Sequence, residues 1–252
     1  MAQNEARDRL RRLGLPDEAV EVLVAHFEDA DRRGKRGHGL ERVAWLESQG
    51  FDSAARPRRL VAEDGFERWS GNGALGYLVL DELVERTLAS PPANARLVVA
   101  ERCFPTGVLG YWARRLAEGG LVAVLTATSP RRLPHPDGGS PLTGTNPLAI
   151  AIPSSDGQPV VVDVSMGAVT HGQVLVGEAS PGELVPFGGE QAHKAFALAV
   201  GLELLVGALA GPEHGAVLVV ARLRHDPVPE LRALAGDRRL PGDPRREEVR
   251  EA

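Results

Sequence analysis

Gly144-Thr145-Asn146-Pro147-Leu148-Ala149-Ile150-Ala151-Ile152-Pro153 joins a tight, small-residue turn to an apolar strand. Pro147 fixes the turn, and Asn146 can bond its own backbone. Two further blocks follow the same plan, Val161-Val162-Asp163-Val164-Ser165-Met166-Gly167-Ala168-Val169 and Pro186-Phe187-Gly188-Gly189. Small residues of this kind let a backbone approach a phosphate or a flat ring closely. The plainer reading is a set of structural loops feeding strands.

Outward from these blocks, strands and helices alternate. Gly76 to Leu88 reads as a helix and Arg96 to Ala100 as a strand. Gly107 to Glu118 reads as a helix stopped by Gly119-Gly120. Leu121 to Thr126, Leu148 to Ile152, Val160 to Val164 and Ala216 to Ala221 read as strands. Residues 56–67 read as an edge strand and turn, Pro130 to Pro141 as a long loop, and Val174 to Val176 as a further short strand. At the front, Leu10, Leu13, Val20, Leu23, Val24 and Phe27 recur at helical spacing around a break at Gly14-Leu15-Pro16, with Asp17 as a cap. A third helix runs to Gln49. The pattern predicts one mixed α/β sheet domain. It covers residues 56–225, behind a small N-terminal helical lobe, 1–55, and before an Arg/Pro-rich, weakly structured tail, 226–252.

Composition narrows the function classes. The chain has 252 residues, 29 basic against 34 acidic, and a net charge of -5, which argues against a nucleic-acid footprint. One cysteine, Cys103, excludes an internal disulfide and any multi-cysteine metal site. Cys103 reads as buried packing rather than as a nucleophile. Only Lys35 and Lys194 are lysines, so a lysine within a Gly-rich segment stands out. Ala195 to Ala210 is apolar except for Glu203, shorter than a membrane span, and reads as a buried core helix. The polar start, Met1 to Arg12, has no secretory pattern. The expectation is a cytoplasmic protein.

Several residues carry candidate chemistry. His38 and Arg42, four apart, pair a proton carrier with a carboxylate fork. An ordinary surface histidine is the alternative. The Gly107 helix start offers N–H groups to an anion. Lys194, at the start of a long helix from Gln191 to Leu209, suits a phosphate, or is a plain amphipathic helix start.

Taken in order, these motifs resemble the malate/L-lactate dehydrogenase family of the second type, which includes sulfolactate and ureidoglycolate dehydrogenases and piperideine-2-carboxylate reductases. The resemblance spans nearly the whole chain. It rests on Gly144–Pro153, on Glu203-Leu204-Leu205 with Gly207-Ala208-Leu209, on Arg33-Gly34 with Gly37-His38-Gly39-Leu40-Glu41-Arg42, and on the Arg239-Leu240-Pro241-Gly242 ending. It implies a mixed α/β fold that is not a Rossmann fold. It also implies a homodimer and NADH or NADPH as cofactor. His38 and Arg42 would be catalytic. Gly107, Gly144, Thr145, Asn146, Asp163, Gly188 and Lys194 would line the cofactor.

The chain also departs from the family pattern. Gly37 replaces a Ser. Pro105 stands where the family carries its usual acid/base His, leaving His38, or a rearranged histidine such as His135, to handle a proton. His171-Gly172-Gln173 replaces Arg-Gly-Lys, three extra residues precede His193, and the excursion between Asp163 and Phe187 is short. Three functions stay open. The first is hydride transfer at C2 of a small 2-oxo or 2-hydroxy acid or cyclic imino acid. An iminium arrives already protonated and suits the loss at Pro105. The second is a non-redox enzyme on the same scaffold, in specialised metabolism, acting by condensation, dehydration or cyclisation of a carboxylate-bearing substrate. The third is a non-catalytic partner subunit.

Overall fold

A seven-stranded mixed sheet organises the chain. The computed structural model describes residues 1–244. The strands are β1 (Arg58–Glu63), β2 (Phe66–Ser70), β3 (Ala95–Glu101), β4 (Leu121–Ala127), β7 (Leu148–Ile152), β8 (Val160–Val164) and β9 (Ala216–Arg222), in the order β1-β2-β3-β9-β4-β7-β8. Only β2 and β3 run parallel; the other neighbours are antiparallel. The mixed α/β expectation is met.

Side chains alternate between the two faces, as strand geometry requires. Leu121, Ala123, Leu125, Leu218 and Val220 join one large core with Leu109, Trp112 and Leu116 of α5 (Leu109–Glu118). That core also takes in α1 (Gln3–Arg12), α2 (Asp17–Arg32), α3 (Arg42–Leu46) and α4 (Gly76–Ala89), through Leu10, Leu23, Phe27, Leu46 and Leu80. The N-terminal helices therefore share the core of the sheet. On the opposite face, Val99 and Val217 pack against Val206 and Ala210 of α7 (Ala192–Ala210).

Several expectations are corrected. Asp17 does not cap α2: Pro16 holds that position, and the Asp17 carboxylate accepts from Arg11 Nε at 2.8 Å. The Pro/Gly-rich stretch read as a loop contains a hairpin, β5 (Leu133–His135) with β6 (Gly138–Thr143), anchored by the buried Leu133. Val174 to Val176 is not a strand. It belongs to and follows α6 (His171–Leu175), whose first turn is closed by a reciprocal Thr170–Gln173 capping box. The described part of the tail is not weakly structured: α8 (Val228–Ala235) forms, and Val161 N–H donates to Pro241 O at 2.9 Å, covering the β8 edge. The remainder of the 226–252 segment lies outside the described residues.

Helix α7 is not the fully buried core helix the sequence suggests. Only Ala195, Ala199, Val206 and Ala210 are buried, while Leu198 and Leu204 are 52% and 66% exposed. Among the described residues, Gly189–Ala210 is one segment long and apolar enough to cross a membrane. The single acid of α7 is explained by the fold, because Glu203 Oε2 accepts from Asn146 Nδ2 at 2.7 Å and from Gly144 N at 3.2 Å. The charge thus clamps the Gly144–Pro147 turn to α7.

Candidate active site

Helix α2 ends in a Schellman turn. Gly34, at φ 68°, is followed by Lys35, whose N–H donates to Ala30 O at 2.8 Å, while Gly34 N–H donates to Asp31 O. The chain then enters a short 3-10 turn, Arg36–His38, and reaches Arg42 at the first residue of α3. His38 and Arg42 thus lie on two successive elements rather than on one helix. Asp31 folds them back, its Oδ2 accepting from Leu40 N at 2.9 Å. Both residues line a cavity of about 320 Å³.

The second wall is the Phe104–Leu109 turn. Gly107 has φ 68°, and a Cβ there would lie 2.3 Å from His26 Nε2. His26 is wholly buried against Trp112, and its Nε2 accepts from Val108 N–H at 3.0 Å. Burial, ahead of the nearby His38, Lys35 and Arg115, holds this imidazole neutral, well below its ordinary pKa. His26 therefore shapes the turn from behind. In sequence it is a lone histidine on an apolar helix face, which gives no signal of that task. Pro105, on the cavity wall, has no proton to move. Cys103 is buried, its thiol is pushed up to about 12 by burial, and its Sγ faces Gly76 O at 3.8 Å, so the packing reading fits.

The third wall comes from the strand ends and α6. Thr128, Thr145, Asp163, Ser165 and His171 line the cavity here. Asp163 pairs with Lys35 across the cleft. The lysine within the Gly-rich segment thus meets a partner 128 residues away in the chain.

Of the candidate residues, His38, Arg42, Gly107, Thr145 and Asp163 share this cavity. Gly144 and Asn146 do not line it. Asn146 is fully buried and donates to Glu203 and to Ala199 O, so it supports the loop from behind. Gly188 and Lys194 are exposed near the start of α7 and do not line it either, because the inserted turn Gly189–Gln191 precedes the helix. His135 lies on the hairpin, 45% exposed and edge-on to Phe196, outside the cavity. Sequence reasoning missed His171 and Arg132, which do line it.

The electrostatics of the cleft are one-sided. Arg42 is 8% exposed, lies 3.7 Å over the Trp45 ring, and leaves Nε and Nη1 buried without partners. An uncompensated buried guanidinium is costly. His38 falls to about 3, through burial and then the charge of Arg42, and its Nδ1 is buried without a partner. His171 falls to about 4, through burial and then Arg132 and Arg42. Both imidazoles are therefore neutral at neutral pH. The arrangement can bind an anion and offer a neutral imidazole beside it.

These shifts predict an acid-labile cleft. An unfolded histidine takes up its proton near its ordinary value, about 6.5. The native cleft refuses that proton until about pH 3 at His38 and about pH 4 at His171. Between those limits the unfolded chain binds more protons, so stability falls as pH falls. At most about 1.4 kcal/mol per pH unit is expected from His38, roughly 3 °C in Tm for a chain of this size. Melting curves between pH 7 and 4.5 check this. A His38→Asn variant that keeps the wild-type slope counts against it.

The family model described as malate/L-lactate dehydrogenase matches residues 1–180. The (2R)-3-sulfolactate dehydrogenase (NADP(+)) of Chromohalobacter salexigens is 31% identical over 193 residues, covering 74% of this chain and 57% of that protein. A Delta(1)-pyrroline-2-carboxylate/Delta(1)-piperideine-2-carboxylate reductase of Pseudomonas putida is 29% identical over 231 residues, covering 80% and 67%. The chain thus spans less than two thirds of the sulfolactate enzyme's length. The crystal structure of delta1-piperideine-2-carboxylate reductase from Pseudomonas syringae superposes with a TM-score of 0.81 at 25% identity, covering 100% of this chain and 93% of that one. A dehydrogenase from Sinorhizobium meliloti gives 0.81 at 24% identity, covering 99% and 90%, a likeness of fold.

Proposed function

The chain belongs to the malate/L-lactate dehydrogenase family, and from that premise we propose that it is an NAD(P)-dependent oxidoreductase acting at C2 of a small 2-oxo or 2-hydroxy acid or cyclic imino acid. The observation that carries the reading is the buried guanidinium of Arg42, with Nε and Nη1 unpartnered, beside the neutral imidazole of His38. Arg42 grips the substrate carboxylate, offsetting the cost of its own burial. His38 takes the proton of a 2-hydroxy group and returns it in reverse. Burial is the larger cause of the His38 depression and remains, but a carboxylate on Arg42 offsets the second cause, the arginine's charge, so the imidazole becomes a better base once substrate is bound. An imino acid asks less of the site, because its proton arrives with the substrate.

The cleft, lined by apolar residues such as Val108 and Leu109 together with charged ones, fits a nicotinamide coenzyme. A second cavity of about 310 Å³ shares Lys35, Val108 and Asp163 with the first, which gives an elongated ligand room to continue. The Gly107 turn, Thr145, and the Asp163–Lys35 pair would hold it. Gly144 and Asn146 would keep the Thr145 loop in place. When bound, the coenzyme supplies or accepts the hydride. The exposed leucines of α7, including Leu198 and Leu204, favour a homodimer, with a second copy covering that face. A cytoplasmic location belongs to the same reading.

Titration of the purified chain with NADPH and NADH, followed by nicotinamide fluorescence, tests the proposal. Saturable binding with a Kd on the order of 1–100 µM, about -8 to -5 kcal/mol, is expected for at least one. A folded chain that binds neither overturns it and favours the non-redox use of the scaffold. A chain that also takes no small acid favours the non-catalytic subunit.

A further inference from the structure

The cleft holds more positive charge than one carboxylate requires. Four cationic side chains line it: Lys35, Arg36, Arg42 and Arg132. Lys35 is matched by Asp163, and Arg36 faces Glu41 and Glu178 at 3.6 and 3.9 Å. Arg42 and Arg132 have no carboxylate partner among the described residues. Arg132 is set at the foot of the β5–β6 hairpin, its backbone N–H donating to Thr143 O at 2.9 Å. Its guanidinium makes no hydrogen bond or ion pair among the described residues, and it is partly buried.

We propose that Arg132 is a specificity-determining residue that receives a second oxyanion, so that the preferred substrate carries a carboxylate or sulfonate at each end of a short chain. This rests on the reading of Arg42 as the first clamp. Arg42 and Arg132 face one cavity whose two carboxylates, Asp163 and Glu178, are already engaged by Lys35 and Arg36, and a dianion answers both guanidiniums at once. The neighbourhood bears this out. The Arg132 guanidinium holds its proton less tightly than usual, through burial and then the charge of Arg42, and the His171 imidazole feels both arginines. All three groups therefore address the same space. Neutral His171 adds no counter-charge of its own. A 2-hydroxy acid with a methyl group at the far end would leave Arg132 unpaired and desolvated, and discrimination of this kind arises when a buried polar group loses its partner.

The test uses the full chain and two acids of equal length, malate and 2-hydroxybutyrate, by calorimetry with and without NADPH. The wild type is expected to bind malate about 10-fold or more tightly over 2-hydroxybutyrate, since a charge-assisted contact contributes about 1.5–3 kcal/mol. Arg132→Gln should bring the ratio to within about twofold, by weakening malate and by relieving the penalty that an unpaired Arg132 places on 2-hydroxybutyrate; one tenfold step is about 1.4 kcal/mol. Arg132→Lys, which keeps the charge and loses the fork, should fall between. Melting curves confirm that the variants fold. An unchanged ratio in Arg132→Gln, an equal loss of both acids, or a loss of NADPH affinity alone overturns the proposal. The last would give Arg132 to a coenzyme phosphate. Arg42→Gln is the separate control: it should weaken both acids alike. If it weakens neither, the first clamp fails, whatever Arg132 does. A wild-type chain that binds neither acid overturns both.

Discussion

Replacing Arg42 with alanine is expected to weaken the binding of any carboxylate substrate by about 10²-fold or more, on a fork contact of about 3 kcal/mol. The same change should cost little stability. The guanidinium is buried with Nε and Nη1 unpartnered, and its packing on Trp45 is its chief contact. Removing it relieves an uncompensated charge and loses a cation–π contact of about 1–2 kcal/mol, two terms of opposite sign. A Tm within a few degrees of wild type, together with lost affinity, is the signature of a residue kept for binding. A large loss of Tm with unchanged affinity would make Arg42 structural. The pH profile of the variant adds a readout that packing alone would not move. With Arg42 gone, His38 should titrate closer to its ordinary value, because the second cause of its depression has been removed.

Much of this architecture was legible in the sequence, and the exceptions share a physical cause. The central strands are short apolar runs between turn residues, and β3, β4, β7, β8 and β9 lie where periodicity places them. The β5–β6 hairpin was illegible because its strands carry Pro134, Pro141 and paired glycines, and Leu133 alone anchors it. Helix α8 was illegible because it is only 8 residues long and prolines, Pro227 and Pro229, stand at its start. In the site, His38 and Arg42 are close in sequence and could be paired by spacing. Lys35 and Asp163 could not, nor could Arg132 and His171 with Arg42, since each pairing depends on how distant loops meet over the sheet. Lys194 illustrates the converse. A lysine at a helix start is a sound local signal for an anion, yet the extra turn before α7 leaves it exposed and outside the cleft. Glu203, conspicuous as the one acid in an apolar helix, acts at the site indirectly by holding the turn that presents Thr145.

Gly37 gives the sharpest test of how the shortened chain closes its cleft. The resemblance drawn from the sequence implies a serine at this position, and a Gly37→Ser change installs one. It is expected to damage this protein. A Cβ at Gly37 would lie 2.3 Å from Gly172 C, 2.6 Å from Gly172 O and 2.6 Å from Gln173 N, all backbone atoms. Reciprocally, a Cβ at Gly172 would lie 2.3 Å from Gly37 O. Two glycines thus let the 3-10 turn and α6 touch backbone to backbone, and that contact brings His171 to the cleft beside Arg42 and Arg132. The short excursion after Asp163 can close the site only by lying this near. Serine forces α6 outward or strains both loops, and overpacking of this kind costs about 1–3 kcal/mol or more. A loss of roughly 2–4 °C in Tm per kcal/mol should accompany it. The accompanying loss of substrate affinity distinguishes a displaced α6 from general unfolding, because the core that holds Trp112 and Leu116 is built without α6 and should keep its near-ultraviolet circular dichroism. A Gly37→Ser protein with wild-type Tm and wild-type affinity would mean that α6 does not need this contact. In that case His171 and Arg132 would owe their positions to the β5–β6 hairpin and the Thr170–Gln173 cap alone.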